Sequence, residues 1–252
     1  MPDTILQIQN LNLKYELEFH RSDSVRDIFV GMIKNPLQML FGDKDVFHII
    51  KDFNLNLKRG ERLGIIGVNG TGKTSLCRCI AGMLRPESGE ITIKGQMRSI
   101  FDTNIGIQPE LTGKENAILL ARFIFPEAKS DELKEIVRES LEFSELGKFL
   151  DMPFKNYSKG MQAKLGLSLI TAKPTDLLIL DEVFDGADHF FQQKISQRTL
   201  EMIEKSGAVI FVSHNFSQLE AVCNRMIVME KQNILYDGNV LKGIEYYKSL
   251  KR

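Results

Sequence analysis

No run of apolar residues in this sequence approaches the ~18 that a membrane-spanning helix needs. A charge excess is missing too. Lys plus Arg and Asp plus Glu number 33 each, for a formal net charge of zero. That balance argues against a dedicated nucleic-acid binder, which would show a basic excess or patch. Cysteine is sparse and odd in number, with Cys77, Cys79 and Cys223 only. Cys77 and Cys79 sit two apart on a predicted helix and so point to different faces, a poor arrangement for a metal or a disulfide. All three are expected to be small buried hydrophobes of a cytosolic protein. The opening Met1-Pro2-Asp3-Thr4 is acidic and leads into alternating residues, which is not the pattern of a signal peptide. Repeats, low-complexity tracts and long linkers are absent as well. What is there is a chain of 252 residues, enough for one large α/β domain or two small ones.

The chemistry centres on Gly67-Val68-Asn69-Gly70-Thr71-Gly72-Lys73-Thr74. A short apolar run, Leu63 to Ile66, precedes it, and Ser75 to Met83 after it reads as helix. That strand–loop–helix order is the context a phosphate-binding loop requires. Glycines let the backbone curl so that successive N–H groups face phosphate oxygens, and the helix adds its positive dipole end. Lys73 reaches the outer phosphates as a point charge, while the Thr74 hydroxyl suits Mg²⁺. The candidate contact set is Gly67, Asn69, Gly70, Thr71, Gly72, Lys73, Thr74 and Ser75. The expected ligand is a nucleoside triphosphate.

Along the chain, Ile5 to Tyr15 alternates and reads as strand with a bulge near Asn10. Tyr15 is either a half-buried strand tyrosine or a functional aromatic. Arg21 to Phe47 is different: Val25, Ile28, Phe29, Met32 and Ile33 fall on one helical face, and Asn35-Pro36 breaks that helix and starts another. This amphipathic insertion packs on its own domain or is presented to a membrane partner or surface. Phe53, Leu55 and Leu57 alternate again, and Glu90 to Lys94 is a short strand. From Gly113 to Thr171 the pattern is helical, in three helices, with Ser130 capping the second and the third starting at Gly160. Leu177 to Leu180 and Ala208 to Val212 are continuous apolar runs, as buried parallel strands are, and a charged helix from Asp188 to Lys205 separates them. Met226 to Asp237 reads as a hairpin around Lys231-Gln232-Asn233, and Val240 to Leu250 as a closing helix.

Acidic and basic groups sit at the ends of those buried runs. Asp181 closes one strand, where it is placed to hold the water shell of Mg²⁺ beside Thr74. Glu182 follows and points elsewhere, suited to polarise a water aimed at the γ-phosphate. His214 closes the next strand in Val212-Ser213-His214, where it would hydrogen-bond the γ-phosphate and orient that water.

Taken together, these residues resemble the nucleotide-binding subunits of ABC transporters, over nearly the whole chain. The fold the resemblance implies is an α/β P-loop ATPase domain. It has a mixed sheet core, an antiparallel β-subdomain and an inserted helical subdomain over about residues 111–172. Asp181-Glu182 matches the family's acidic pair, Asp188 its D-loop aspartate, His214 its switch histidine, and Tyr15 its adenine-stacking aromatic. Asn156 to Gln162 lies where the family signature falls, but Lys159 and Met161 depart from the common Leu-Ser-Gly-Gly-Gln. The Tyr-Ser-x-Gly-Met form, Pro109 to Asn116 and the insertion at residues 21–47 instead look like the branch that exports O-antigen, capsule or teichoic-acid precursors. The glutamine of the Q-loop has three candidate positions, Asp102, Thr103 and Gln108. The implied machine is a head-to-tail homodimer, each ATP with its Mg²⁺ lying between one copy's phosphate loop and the other's Ser158 to Gly160. It would drive two copies of a membrane permease from the cytoplasmic face, with a lipid-linked glycan as cargo and no nucleic acid. An exporter of a lipid or drug, and a soluble non-transport ABC protein, are the alternative readings.

Overall fold

The computed structural model describes residues 3–17, 45–100, 106–181, 189–230 and 232–250. Two sheets carry the architecture. The smaller is antiparallel, in the order β2 (Asp45–Lys58), β1 (Thr4–Leu17), β4 (Ser88–Ile93). The larger has six strands: β5 (Met97–Ile100), β6 (Leu177–Asp181), β7 (Ala208–Val212), β3 (Arg62–Gly67), β8 (Arg225–Glu230) and β9 (Asn233–Asn239), in that spatial order. Every pairing from β5 to β8 is parallel, and β9 returns antiparallel as the predicted hairpin.

The parallel strands form where the chain is apolar on both faces. All five residues of β6 and of β7 are buried. Leu177, Ile179, Ile210 and Val212 pack into a core shared with β1, β2 and helix α1 (Lys73–Ile80). Leu178, Leu180, Val209 and Phe211 face the other way. Their layer is built from α5 (His189–Lys205), α6 (Phe216–Val222) and α7 (Val240–Leu250). A third core lies among α2 (Gly113–Ile124), α3 (Ser130–Ser144) and α4 (Lys159–Ile170), around Leu120, Phe125, Ile136 and Leu165. This is the predicted helical insertion. Its second helix is capped by Lys129, however, and Ser130 is already its first helical residue.

β1 contains the expected bulge: Asn10 has φ 48°, and the register shifts between Ile8 and Leu11. Opposite it, Asp52 also takes a left-handed φ of 45°. Asparagine side chains satisfy the disturbed backbone: Asn10 N donates to Asn54 Oδ1 at 2.9 Å and Asp52 N to Asn12 Oδ1 at 2.9 Å. This second bulge explains a correction. The alternation from Phe53 to Leu57 predicts a strand of that length, whereas β2 begins at Asp45. Ile50 and Phe53 are both buried although three apart, because Asp52 resets the phase and hides the upstream half from a period-two reading. Phe47, placed by sequence in the amphipathic insertion, therefore belongs to β2, while residues 21–44 of that insertion lie outside the described residues.

β5 carries no alternation that would announce it; it forms by pairing in register with β6, Met97 opposite Leu177. The thiols behave as predicted. Cys77, Cys79 and Cys223 are free and buried, and loss of solvent raises the pKa of each, that of Cys223 to about 12. They stay protonated and unreactive at neutral pH.

Candidate functional site

The carboxyl ends of β6, β7 and β3 lie side by side, since Asp181 pairs with Val212 and Val212 with Ile65. Strands ~4.8 Å apart therefore deliver Asp181, the Ser213-His214 turn and the start of the phosphate loop to one edge of the sheet.

At the loop itself, β3 runs so near β8 that a Cβ on Gly67 would lie 2.3 Å from the Met229 carbonyl oxygen and 2.8 Å from Thr71 Oγ1. Gly72 is the N-cap of α1 at φ 92°, ψ 10°, a conformation that glycine adopts without strain. A Cβ there would meet Ile49 of β2 at 2.5 Å, so the antiparallel sheet presses on the loop. The curl is braced from within. Lys73 Nζ donates to Gly67 O at 2.8 Å and Val68 O at 3.2 Å, and Thr71 Oγ1 donates to Val68 O at 2.9 Å. Lys73 is buried, whereas Asn69, Gly70 and Thr74 are exposed along the open side. The first turn of α1 holds no acidic residue, so the positive end of its dipole and Lys73 add into one electropositive cradle.

Asp181 is buried at the mouth of β6. Both Asp181 and Lys73 act through space on the Cys77 thiol, the carboxylate raising its pKa and the ammonium lowering it, so the two charges flank the same part of α1. After β7, Ser213 Oγ donates to Gln218 Oε1 at 2.8 Å and accepts from Asn215 N at 3.0 Å, while Asn215 caps α6. His214 is thus carried on a pinned turn with its side chain exposed.

Ser158 lies apart from this group, on the helical subdomain. It is the N-cap of α4, accepting from Met161 N at 3.2 Å, and Ser158, Lys159 and Gly160 all reach solvent. Its position is set by Tyr157, which is buried, stacks on Phe154 and donates its hydroxyl to Phe149 O at 2.8 Å. Tyr15 is opposite Phe47 in the β1–β2 register. Phe47 is 54% exposed and lies on β2 two residues before Ile49, the residue that meets the loop at Gly72. Glu182, Asp188, Asp102 and Thr103 lie outside the described residues. Gln108 is within them, and its backbone N and O are both held by Asn116 at the foot of α2 (2.8 and 2.9 Å).

Sequence reading missed Asn116. Fully buried, it also donates to Leu111 O and Thr112 O, and the Thr112–Glu115 capping box beside it was a signal in plain view. Asn116→Ala would strip the Gln108 N–H of its acceptor, while the Gln108, Leu111 and Thr112 carbonyls keep backbone donors, at a cost of about 2 kcal/mol. Denaturant unfolding measures that loss, and an unchanged midpoint would contradict it.

A family model for ABC transporters matches residues 50–185, which take in the phosphate loop, Ser158 and Asp181. The O-antigen export system ATP-binding protein RfbB of Klebsiella pneumoniae is 35% identical over 98% of both chains. The teichoic acids export ATP-binding protein TagH of Staphylococcus epidermidis is 34% identical over 97% of this chain and 88% of its own. This chain belongs to the ABC transporter family. Among solved structures, an ATP-binding cassette in a dimeric post-hydrolysis state bound to ADP and Pi shares the fold. It does so at a TM-score of 0.69 and 20% identity, over 94% of this chain and 99% of that one. An ATP-binding subunit of an ABC transporter does so at 0.70 and 22%, over 98% and 94%. The two-sheet core with an inserted helical subdomain is thus the ABC ATPase fold, as the resemblance implied. As an ABC ATPase the chain binds nucleotide. No helix among its described residues is long and apolar enough to cross a membrane.

Proposed function

We propose that this chain is the ATP-hydrolysing subunit of an exporter for a lipid-linked surface polysaccharide. It works as a homodimer with two copies of a separate membrane permease, at the cytoplasmic face of the membrane. The observation that carries the cargo is its similarity along nearly the whole chain to export ATPases for O-antigen and teichoic acids.

The site supports an ATP mechanism in which Gly67 to Ser75 cradle the phosphates. Thr74 and Asp181 would hold Mg²⁺, a hydroxyl and a carboxylate being apt donors for an ion that keeps its waters and phosphate oxygens. The described residues contain no cluster of three His, Cys, Asp or Glu, in keeping with a metal held through substrate rather than in a protein cage. When bound, the ion neutralises charge on the β- and γ-phosphates. Lys73 adds a fixed positive charge, Glu182 draws the proton from the attacking water, and His214 orients that water toward the γ-phosphorus. Tyr15 stacks on the base. Ser158 and Gly160 of a second copy close over the triphosphate, and Asp188 lies at the same seam. That Ser158 and Gly160 reach solvent at the start of α4 favours this shared arrangement.

Exposed Phe123 and Ile118 on α2, at 69% and 53%, offer apolar surface for the membrane partner. The segment between β1 and β2 is a second contact. Leu17 pairs with Asp45, so the chain leaves and re-enters the sheet at one point. Deleting Ser24 to Phe41 should leave ATP binding by the purified subunit intact but abolish glycan display when it replaces the native subunit in cells. Normal display would rule out the gate role of that segment. Co-purification with the native membrane subunit, followed by mass spectrometry of the retained lipid, tests the cargo. A retained drug or simple phospholipid in place of a glycolipid would refute it.

A further inference from the structure

The signature helix α4 has a C-terminus that its own sequence leaves unsupported. There is no basic residue in its last turn, and its C-cap is Thr171. The missing cation comes from another element. Arg198 of α5 donates Nε–H to Thr171 O at 3.3 Å, and its guanidinium lies 4.0 Å from the centre of the Phe143 ring of α3. Lys194, one turn earlier, approaches the same ring at 4.4 Å, donates to Phe143 O at 3.2 Å and pairs with Glu145. Two cations of one helix thus grip one aromatic of the helical subdomain, and one of them also closes the negative end of α4. Arg198 is half-buried, and the loss of solvent lowers its pKa; the carboxylates of Glu139 and Glu201 partly offset this.

The significance lies in what each helix carries at its other end. α5 follows directly on the segment that contains Glu182 and Asp188, between β6 and α5. α4 begins at Ser158, and its 12 residues make a rod of ~18 Å. A displacement at the Thr171 end is therefore delivered to Ser158 with little loss. In the homodimer proposed above, Glu182 serves the ATP on its own phosphate loop, while Ser158 serves the ATP on the partner's.

We infer that Arg198, seated on Phe143 and Thr171, is a positioning residue that couples the two ATP sites of the dimer, tying the hydrolytic segment of one site to the signature that completes the other. The inference rests on the shared-site reading, and the test separates the two. ATP hydrolysis by the complex with the native membrane subunit is measured against ATP concentration for wild type, Arg198→Met, Arg198→Lys and Phe143→Leu. ATP binding to each isolated chain is measured beside it. Wild type should show a Hill coefficient approaching two, the number of sites. Arg198→Met and Phe143→Leu should bring it to about one with affinity of the isolated chain unchanged. Arg198→Lys, which keeps the charge but not the planar face, should fall between. A cooperative wild type with equally cooperative Met and Leu variants overturns the coupling alone. A non-cooperative wild type overturns the shared-site reading and the coupling with it. If both variants lose ATP affinity as isolated chains, the junction merely supports the fold and the coupling is refuted.

Discussion

Glu182→Gln should slow ATP turnover by ~10²-fold or more while the protein still binds ATP. The substitution keeps size and hydrogen-bonding capacity but removes the carboxylate proposed to accept a proton from water. Asp181, one residue earlier, is buried at the strand end, and its proposed hold on the metal is untouched, so nucleotide affinity persists. In the proposed homodimer hydrolysis would open the closed state, so the variant should accumulate as a dimer with ATP. Size-exclusion chromatography with and without ATP, alongside phosphate release, reads both effects. Wild-type turnover would remove Glu182 from the role of base.

Gly67→Ala should abolish nucleotide binding and destabilise the fold, whereas Gly70→Ala, three residues along the same loop, should do much less. The contrast rests on what each methyl group would meet. At Gly67 it would sit 2.3 Å from the backbone carbonyl of Met229, which is fixed in the β3–β8 ladder, and 2.8 Å from the hydroxyl bracing the loop. Neither can yield cheaply, so strand end and loop separate, at a cost of about 3 kcal/mol as for other overpacked sites. The Gly67 carbonyl would also leave Lys73, whose Nζ it holds at 2.8 Å. At Gly70 nothing lies within 4 Å, and the penalty is the left-handed backbone at φ 83°, about 1–2 kcal/mol. Thermal unfolding together with ATP binding separates the two. Equal effects at both positions would mean that the approach of Met229 is not what demands glycine at Gly67.

Local chemistry was the part most legible in the sequence. Gly67 to Thr74 announces its curl because only glycine-rich backbone turns consecutive amides inward. β6 and β7 announce themselves because a strand covered on both faces must be apolar throughout. Asp181 and His214 stand out because a polar residue ending such a run has little reason to be there unless it faces a site. α7 spans Val240–Leu250, as its periodicity predicts.

Other features depend on neighbours far away in the chain. β5 is a strand only because β6 offers it an open edge, and the upstream half of β2 only because β1 does. The phase change at Asp52 makes sense only opposite the bulge at Asn10. Asn116 is decisive because four backbone groups converge on it, and no spacing rule foretells that.

By itself, then, the sequence determined the ligand class and picked out the candidate reacting groups, since these follow from side-chain chemistry and short-range backbone geometry. The tertiary structure alone decided how close Gly67 comes to β8 and which cation serves the end of α4. Such contacts arise from packing between elements brought together over 27 residues, as for Thr171 and Arg198. No local pattern encodes a partner at that distance.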